Sequence, residues 1–531
     1  MKRLVFTVAF GAAIGLVATA RAADPPAANA PAPANPDCWS SLWTWLAARP
    51  SVCPLSFMGV TLYGALDVNA TYLAQGAPDN PSMDKLFYDI QKPASGGRAM
   101  FGYNGLSPSV VGLKMKEDIL PYGWSLIGAV EAGINPYSGM FLNGPRTLAD
   151  NNFRPISTAP FQTANTDSNR AGQWDNQQAF IGVSNPTYGA LTFGRTNALS
   201  LDVLSAYDPV ASIAFSLVGY SASFPGFGDT ETARSTAFTY RASYQNFRAA
   251  AQAAVGGYSW DNGETAQYQG QVGADFGPLS LDGVVSYAEN AVSLSSYSGA
   301  NADCIKGTTD CFVSVNNALY DPNTVLKATL SNNTGVELAA KYRWNDVTLY
   351  AGYLYGRLAN PSNDFLGGFP TIAAGIFIPP GYWSKGVYVN NAVTSNGYNY
   401  NRILNTVWTG FKWSLTSTID VQMGFYYQTQ NNYNFNVSAA GVTTPAACTG
   451  TGAFISSSKC AGSQDAVSLL VDYRPIPRVD LYAGVMLSNV YGGLANGFYT
   501  TSYPIPGNTK ISWSAPHTQN WDPTIGLRVR F

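Results

Sequence analysis

From residue 60 onward, apolar and polar residues alternate with a period of two over much of the chain. In "VTLYGALDVNATY", Val60, Leu62, Gly64, Leu66, Val68, Ala70 and Tyr72 share one parity, and Thr61, Tyr63, Ala65, Asp67, Asn69 and Thr71 share the other. Successive strand side chains point to opposite faces, so the run predicts a strand with one oily and one wet face. At about 13 residues it exceeds the roughly 9–11 that a tilted strand needs to cross a bilayer. The chain's end, "IGLRVRF", repeats the pattern, with Ile525, Leu527, Val529 and Phe531 against Arg528 and Arg530.

Later segments arrive as close pairs. "SVVGLKMKEDI" meets "WSLIGAVEAGI" through 120–123, "QQAFIGV" meets "ALTFGR" through "SNPTYG", and "TAFTYRASY" meets "FRAAAQAAVG" through Gln245-Asn246. "QYQGQVGADF" and "LSLDGVVSYAE" flank Gly277-Pro278, and "TGVELAAKYRW" and "VTLYAGYLYG" flank Asn345-Asp346. "LNTVWTGFKW" and "TIDVQMGFYYQ" join through "SLTS", and "DAVSLLVDYR" and "VDLYAGVMLSN" through "PIPR". Turn-forming Gly, Pro and Asn make these seven hairpins. With the lone first strand and the last one, they predict an all-β fold, a transmembrane antiparallel barrel of 16 strands. The alternative is 18, should 290–333 or 358–401 contain another pair, for instance around "FIPPGYWSKGVYV". Tight turns at one end and long Asn/Ser/Gly/Pro-rich loops at the other are the asymmetry of an outer-membrane barrel. Tyr63, Trp124, Tyr342, Trp344, Tyr353, Tyr355, Trp408, Trp413, Tyr426, Tyr427 and Tyr473 lie near strand ends, where interfacial girdles are expected.

Composition narrows the setting. Charged residues are 12% of the chain, about half the share of a soluble protein, while aromatics reach 13%. No later stretch has the apolar length of a spanning helix, and a closed barrel is the other way to satisfy every backbone group in oil. Lys2 and Arg3, an apolar run and Ala20-Arg21-Ala22 read as an export signal over 1–22, implying an outer-membrane location. A formal net charge of −2 gives no reason to expect a nucleic-acid partner. Residues 23–56 read as a separate Pro/Ala-rich periplasmic segment. Within it Asp37 caps a short helix whose Trp39, Leu42, Trp43 and Leu46 form one stripe, acting as a rim clip or a pore plug. The six cysteines fall into local pairs, Cys38 with Cys53, Cys304 with Cys311 and Cys448 with Cys460, expected as loop-stapling disulfides. With one histidine, His517, and no C-x-x-C, no metal or cofactor is implied.

The stretch "LTFGRTNALSLDVLSAYDPV" resembles the general porins of Gram-negative bacteria, which are trimeric 16-stranded barrels. "VTLYGALDV", "VVGLKMKEDI", "NQQAFIGVSNPTYGALTFGR" and the terminal Phe531 extend the resemblance over 57–531. It implies a homotrimer in outer-membrane lipid, delivered by periplasmic chaperones and the barrel-assembly machinery, with Phe531 as assembly signal. It also implies that the third loop, 197–233, folds inward as a constriction. Asp202 and Asp208, with Asp229 and Glu231 on the return leg, are then its acids. Lys114, Glu131 and Arg241 have inward parity, and Arg195 follows the family's Gly-Arg pair, so these four are the expected pore-wall charges. The chain has Val110 and Gln177 where the family often places Arg, which thins the basic cluster. Opposite charges across a narrow, low-dielectric gap align dipolar solutes and make apolar ones shed ordered water.

The expected function is passive diffusion of small hydrophilic solutes and ions, without catalysis. A substrate-specific channel is the alternative within transport. A barrel hydrolase lacks a G-x-S-x-G elbow and has only His517 as its histidine base. Display of long loops by an adhesin need not exclude a channel, but an adhesin with a blocked lumen would pass no current.

Overall fold

The computed structural model describes residues 38–73, 98–118, 121–137, 177–218, 234–255, 266–291, 331–360, 400–433, 461–492 and 519–531, together with Gly139 and several short strands between 294 and 511. The main sheet has 18 hydrogen-bonded segments forming 16 staves, because one stave is split and Leu55–Phe57 only extends the rim. The staves are β1 (Val60–Leu73), β2 (Arg98–Tyr103 continued by Val110–Glu117), β3 (Ser125–Gly133), β4 (Gln178–Asn185), β5 (Gly189–Asn197), β6 (Arg234–Tyr244), β7 (Phe247–Val255) and β8 (Ala266–Phe276). They continue as β9 (Leu279–Ala291), β10 (Ser331–Trp344), β11 (Val347–Ala359), β12 (Arg402–Ser414), β13 (Ile419–Gln430), β14 (Gly462–Ile476), β15 (Val479–Gly492) and β16 (Gln519–Arg530). Each pairs antiparallel with its neighbour, and β16 returns to β1 with Ala65 opposite Arg530 and Thr71 opposite Thr524. Closure leaves no open edge.

The expected hairpins are the barrel's short turns. Gln245 and Asn345 take left-handed φ of 52° and 51° in their two-residue turns, the geometry that matches strand twist. The stretches considered for a 17th and 18th strand do form hairpins, Leu294–Ser298 with Val325–Ala328 and Tyr382–Ser384 with Val387–Val389, but as two-stranded sheets outside the barrel.

Period-two alternation sorts the wall. Ile181, Phe193, Phe238, Val272, Leu338 and Ile525 point outward and are exposed, while Gln252, Gln269, Thr406, Gln428, Gln464 and Ser468 point inward. This inverts a soluble core. The last residue completes closure: Phe531 exchanges both backbone hydrogen bonds with Gly64, each 3.0 Å.

At the short-turn end lies α1 (Leu42–Ala47), tied by a disulfide between Cys38 and Cys53, the one expected pair that the described residues include. The pair Cys304 and Cys311 and the pair Cys448 and Cys460 lie outside the described residues, as does the expected leader over 1–22. Ser41 rather than Asp37 is the N-cap, its Oγ accepting from Thr44 N at 3.0 Å. The expected stripe does not make the contact with the barrel, since Trp39, Leu42 and Trp43 stay exposed. Instead Arg478, in the β14–β15 turn, donates to Trp45 O (2.9 Å) and Cys53 O (2.6 Å) and stacks 4.1 Å from the Trp45 ring.

Candidate functional site

After β5 the chain turns into the barrel as α2 (Leu199–Tyr207). Ala198 offers no capping side chain, and the wall supplies the missing acceptor: Gln269 Oε1 on β8 takes Ser200 N at 3.1 Å. Gln252 on β7 donates to Asn197 O at 2.9 Å and to Thr239 Oγ1 at 3.0 Å, fixing the entry to the helix.

One face of α2 is apolar. Leu199, Val203, Leu204 and Tyr207 pack on Val284, Ala339, Leu354 and Trp408 of the inner wall, with Leu217 and Val218 further along the same seam. Trp408 (2% exposed) and Tyr426 (0%) are thus inward anchors, not the girdle residues expected, and Tyr63 also points inward, hydrogen-bonded to Glu131. The Trp408 ring lies over Gly352, where a Cβ would collide with it, and its Nε1 donates to Tyr207 O at 3.0 Å. Beyond the helix, Phe215 meets Tyr482 edge-on at 6.3 Å and packs with Leu106, while Ala214 N donates to Gly105 O at 2.9 Å. Residues 104–109, the insertion that splits β2, are held by Asp67, which accepts from Leu106 N (2.7 Å) and Tyr482 Oη (2.5 Å). The segment from 199 to 218 therefore lies inside the barrel, fastened along the wall from β8 to β2.

The expected site residues that the structure describes separate into three groups. Asp202, in the first turn of α2, forms an ion pair with Arg241 of β6 and accepts from Asn197 Nδ2 at 3.0 Å, so a loop acid and a wall base do meet. Lys114 and Glu131 point inward, Lys114 Nζ lying 5.3 Å from the Tyr63 ring. Asp208 and Arg195 are sealed. Asp208 (3% exposed) sits at the C-terminus of α2, accepting from Tyr426 Oη (2.6 Å) and Val210 N (3.2 Å). Burial pushes its carboxyl above the usual range, with the Ser216 and Tyr426 hydroxyls acting in the opposite direction. Arg195 (2% exposed) pairs opposite Ala179 and Thr236 on the parity of Leu191 and Phe193, which turns it away from the lumen. Asp229, Glu231 and His517 lie outside the described residues.

Apart from Arg528 and Arg530, whose polar parity is visible in the sequence, the remaining lumen charges emerge only from the fold. Arg248 of β7 bonds Asp275 (2.7 Å), Asp282 (2.5 Å) and Tyr207 Oη (2.7 Å), and Tyr207 donates to Asp282 at 2.6 Å. Burial and then Asp282 push the Tyr207 phenol above its usual range. Lys341 lies 4.7 Å from the Tyr207 ring. Toward the short turns runs a second ladder, Lys412–Asp420 (2.9 Å), Arg474–Asp420 (2.6 Å), Arg474–Asp472 (3.3 Å), Arg528–Asp480 (2.9 Å) and Arg530–Asp480 (3.0 Å). Glu337 of β10 is the exception. It is wholly buried beside the apolar seam, and neither carboxyl oxygen has a hydrogen-bond partner among the described residues.

A family model described as Gram-negative porin matches residues 11–374. Among solved structures, the chain is similar to an anion-selective porin from Comamonas acidovorans (13% identity, 89% of this chain and 99% of that one, TM-score 0.50). It is also similar to the outer membrane protein OmpT of Vibrio cholerae (14%, 90% and 99%, TM-score 0.48) and the outer membrane channel DcaP of Acinetobacter baumannii (12%, 90% and 99%, TM-score 0.45). No curated protein matches the sequence. The alternating wall, the inward segment and a family match over more than half the chain agree: this protein belongs to the Gram-negative porin family and forms an outer-membrane β-barrel channel for small solutes.

Proposed function

We propose that transport through this barrel is passive and non-catalytic, with 197–218 setting the solute size limit and the Asp202–Arg241 pair the polar gate that solutes pass. The observation that carries this reading is the fastening of α2 to the inner wall by its apolar face. In this reading a segment held by that face narrows the pore without blocking it. The charged groups around it make the passage favourable to hydrated, dipolar solutes. In this reading three copies assemble in the outer membrane, each with its own pore.

Liposome swelling with uncharged sugars of graded size tests it. Swelling rates that fall steeply as solute size increases are expected, and no swelling, or rates independent of size, would refute it. Chemical cross-linking of the detergent-solubilised protein should stop at a three-chain species.

A further inference from the structure

On the short-turn side of the Asp202–Arg241 pair is a cavity of about 470 Å³. Its walls come from β2 through β8 and the first turn of α2, and Lys116, Ser184, Asp202, Arg241, Arg248 and Gln271 supply the polar side chains used below. Three of these are cations and one is an acid. The acid is already engaged, shared between Arg241 and Asn197. Arg248 is held rigidly by Asp275 and Asp282, which offset its charge from behind. Lys116 is different. It has inward parity, opposite Ile127, is exposed to the lumen, and has no hydrogen-bond or ion-pair partner among the described residues. Lys114, two residues away on the same face, likewise has no anionic partner among them. Arg241 spends Nη2 on Asp202, and its Nη1 is buried away from the chamber.

A chamber lined by three cations, one of them an ammonium with no ion-pair partner among the described residues, and by a single acid that is already occupied attracts negative charge. A cation would find no available carboxylate among the lining residues. A neutral sugar would find no aromatic face there to stack on. We propose that this chamber is an anion subsite, where a small organic anion bearing several carboxylates, or a phosphate, pauses on the periplasmic side of the constriction with Lys116 as its principal contact. The proposal rests on the channel reading above and adds a solute class to it.

The test is ion current through the refolded full chain in a planar bilayer in KCl, with citrate, inorganic phosphate or an uncharged disaccharide added. Citrate or phosphate should reduce the current saturably at concentrations where the disaccharide does not. Lys116→Gln should raise the half-blocking concentration about tenfold, the scale of one lost charge-assisted hydrogen bond. Lys412→Gln, a lumen cation outside the chamber, should leave it unchanged. Block by either anion that K116Q weakens and K412Q does not supports the subsite. Normal KCl current with no anion block, or block indifferent to K116Q, overturns the subsite while the channel reading stands. Absence of KCl current overturns the channel reading itself.

Discussion

Tyr426→Phe should loosen the inward segment 199–218 without releasing it permanently. The substitution removes a single hydroxyl, whose 2.6 Å bond to Asp208 satisfies a carboxylate that is only 3% exposed. Losing a hydrogen bond to a buried charged group costs about 1.5–3 kcal/mol, which corresponds to roughly 10- to 150-fold more frequent excursions from the docked state. The apolar seam competes with that loss: burying each of Leu199, Val203, Leu204 and Leu217 is worth about 1.5–3 kcal/mol. The seam wins, so mean conductance should stay close to wild type while current noise in single-channel recordings rises. The effect should also depend on pH. Because burial raises the Asp208 pKa in the docked loop, docking is favoured at acid pH and that contribution is lost as pH rises through the docked value. Noise should therefore grow from acid toward neutral pH. The mutant's excess should be larger at neutral pH, where the carboxylate has lost one of its donors, than in acid. Noise indistinguishable from wild type at every pH would refute the assignment of Asp208 and Tyr426 as the loop's clasp.

Other consequences follow from the same contacts. Gly352→Val should displace the Trp408 ring and unseat the C-terminal end of α2, enlarging single-channel conductance while barrel circular dichroism stays unchanged. Asp202→Asn leaves Arg241 without its counter-charge, and the zero-current potential in a KCl gradient should move toward anion preference. Arg478→Ala removes both hydrogen bonds and the stacking under Trp45, so residues 38–53 should become more sensitive to limited proteolysis with the barrel intact. Deleting Phe531 removes the last backbone pair with Gly64 at the seam where the barrel closes, and the yield of heat-modifiable, folded protein on electrophoresis should fall.

Much of the barrel is legible in the sequence because strand parity is a local property. The alternation of Val60 through Tyr72 and of Ile525 through Phe531 needs no knowledge of neighbours, and the tight turns at Gln245-Asn246 and Asn345-Asp346 mark themselves. What parity cannot reveal is where an apolar patch belongs on the wet face. Trp408 and Tyr426 read as girdle aromatics because the sequence places them near strand ends, where girdle rings are expected. Only the packing of α2 explains aromatics among inward glutamines and threonines. Arg195 shows the reverse. Resemblance places it on the pore wall, although its parity with Leu191 and Phe193 already points outward. Arg248 is hidden in "FRAAAQAAVG" because its partner Asp282 is 34 residues away and meets it only once the stave register is known. Asp202 and Arg241, 39 residues apart, are each recognisable singly, and the register joins them.

The most direct test of a water-filled pore narrowed from within compares single-channel conductance of the refolded wild type with a variant whose residues 199–218 are replaced by a short Gly/Ser linker. Discrete ohmic steps from the wild type and clearly larger steps from the variant are expected. No steps from the wild type, or steps of equal size from both, would contradict the account.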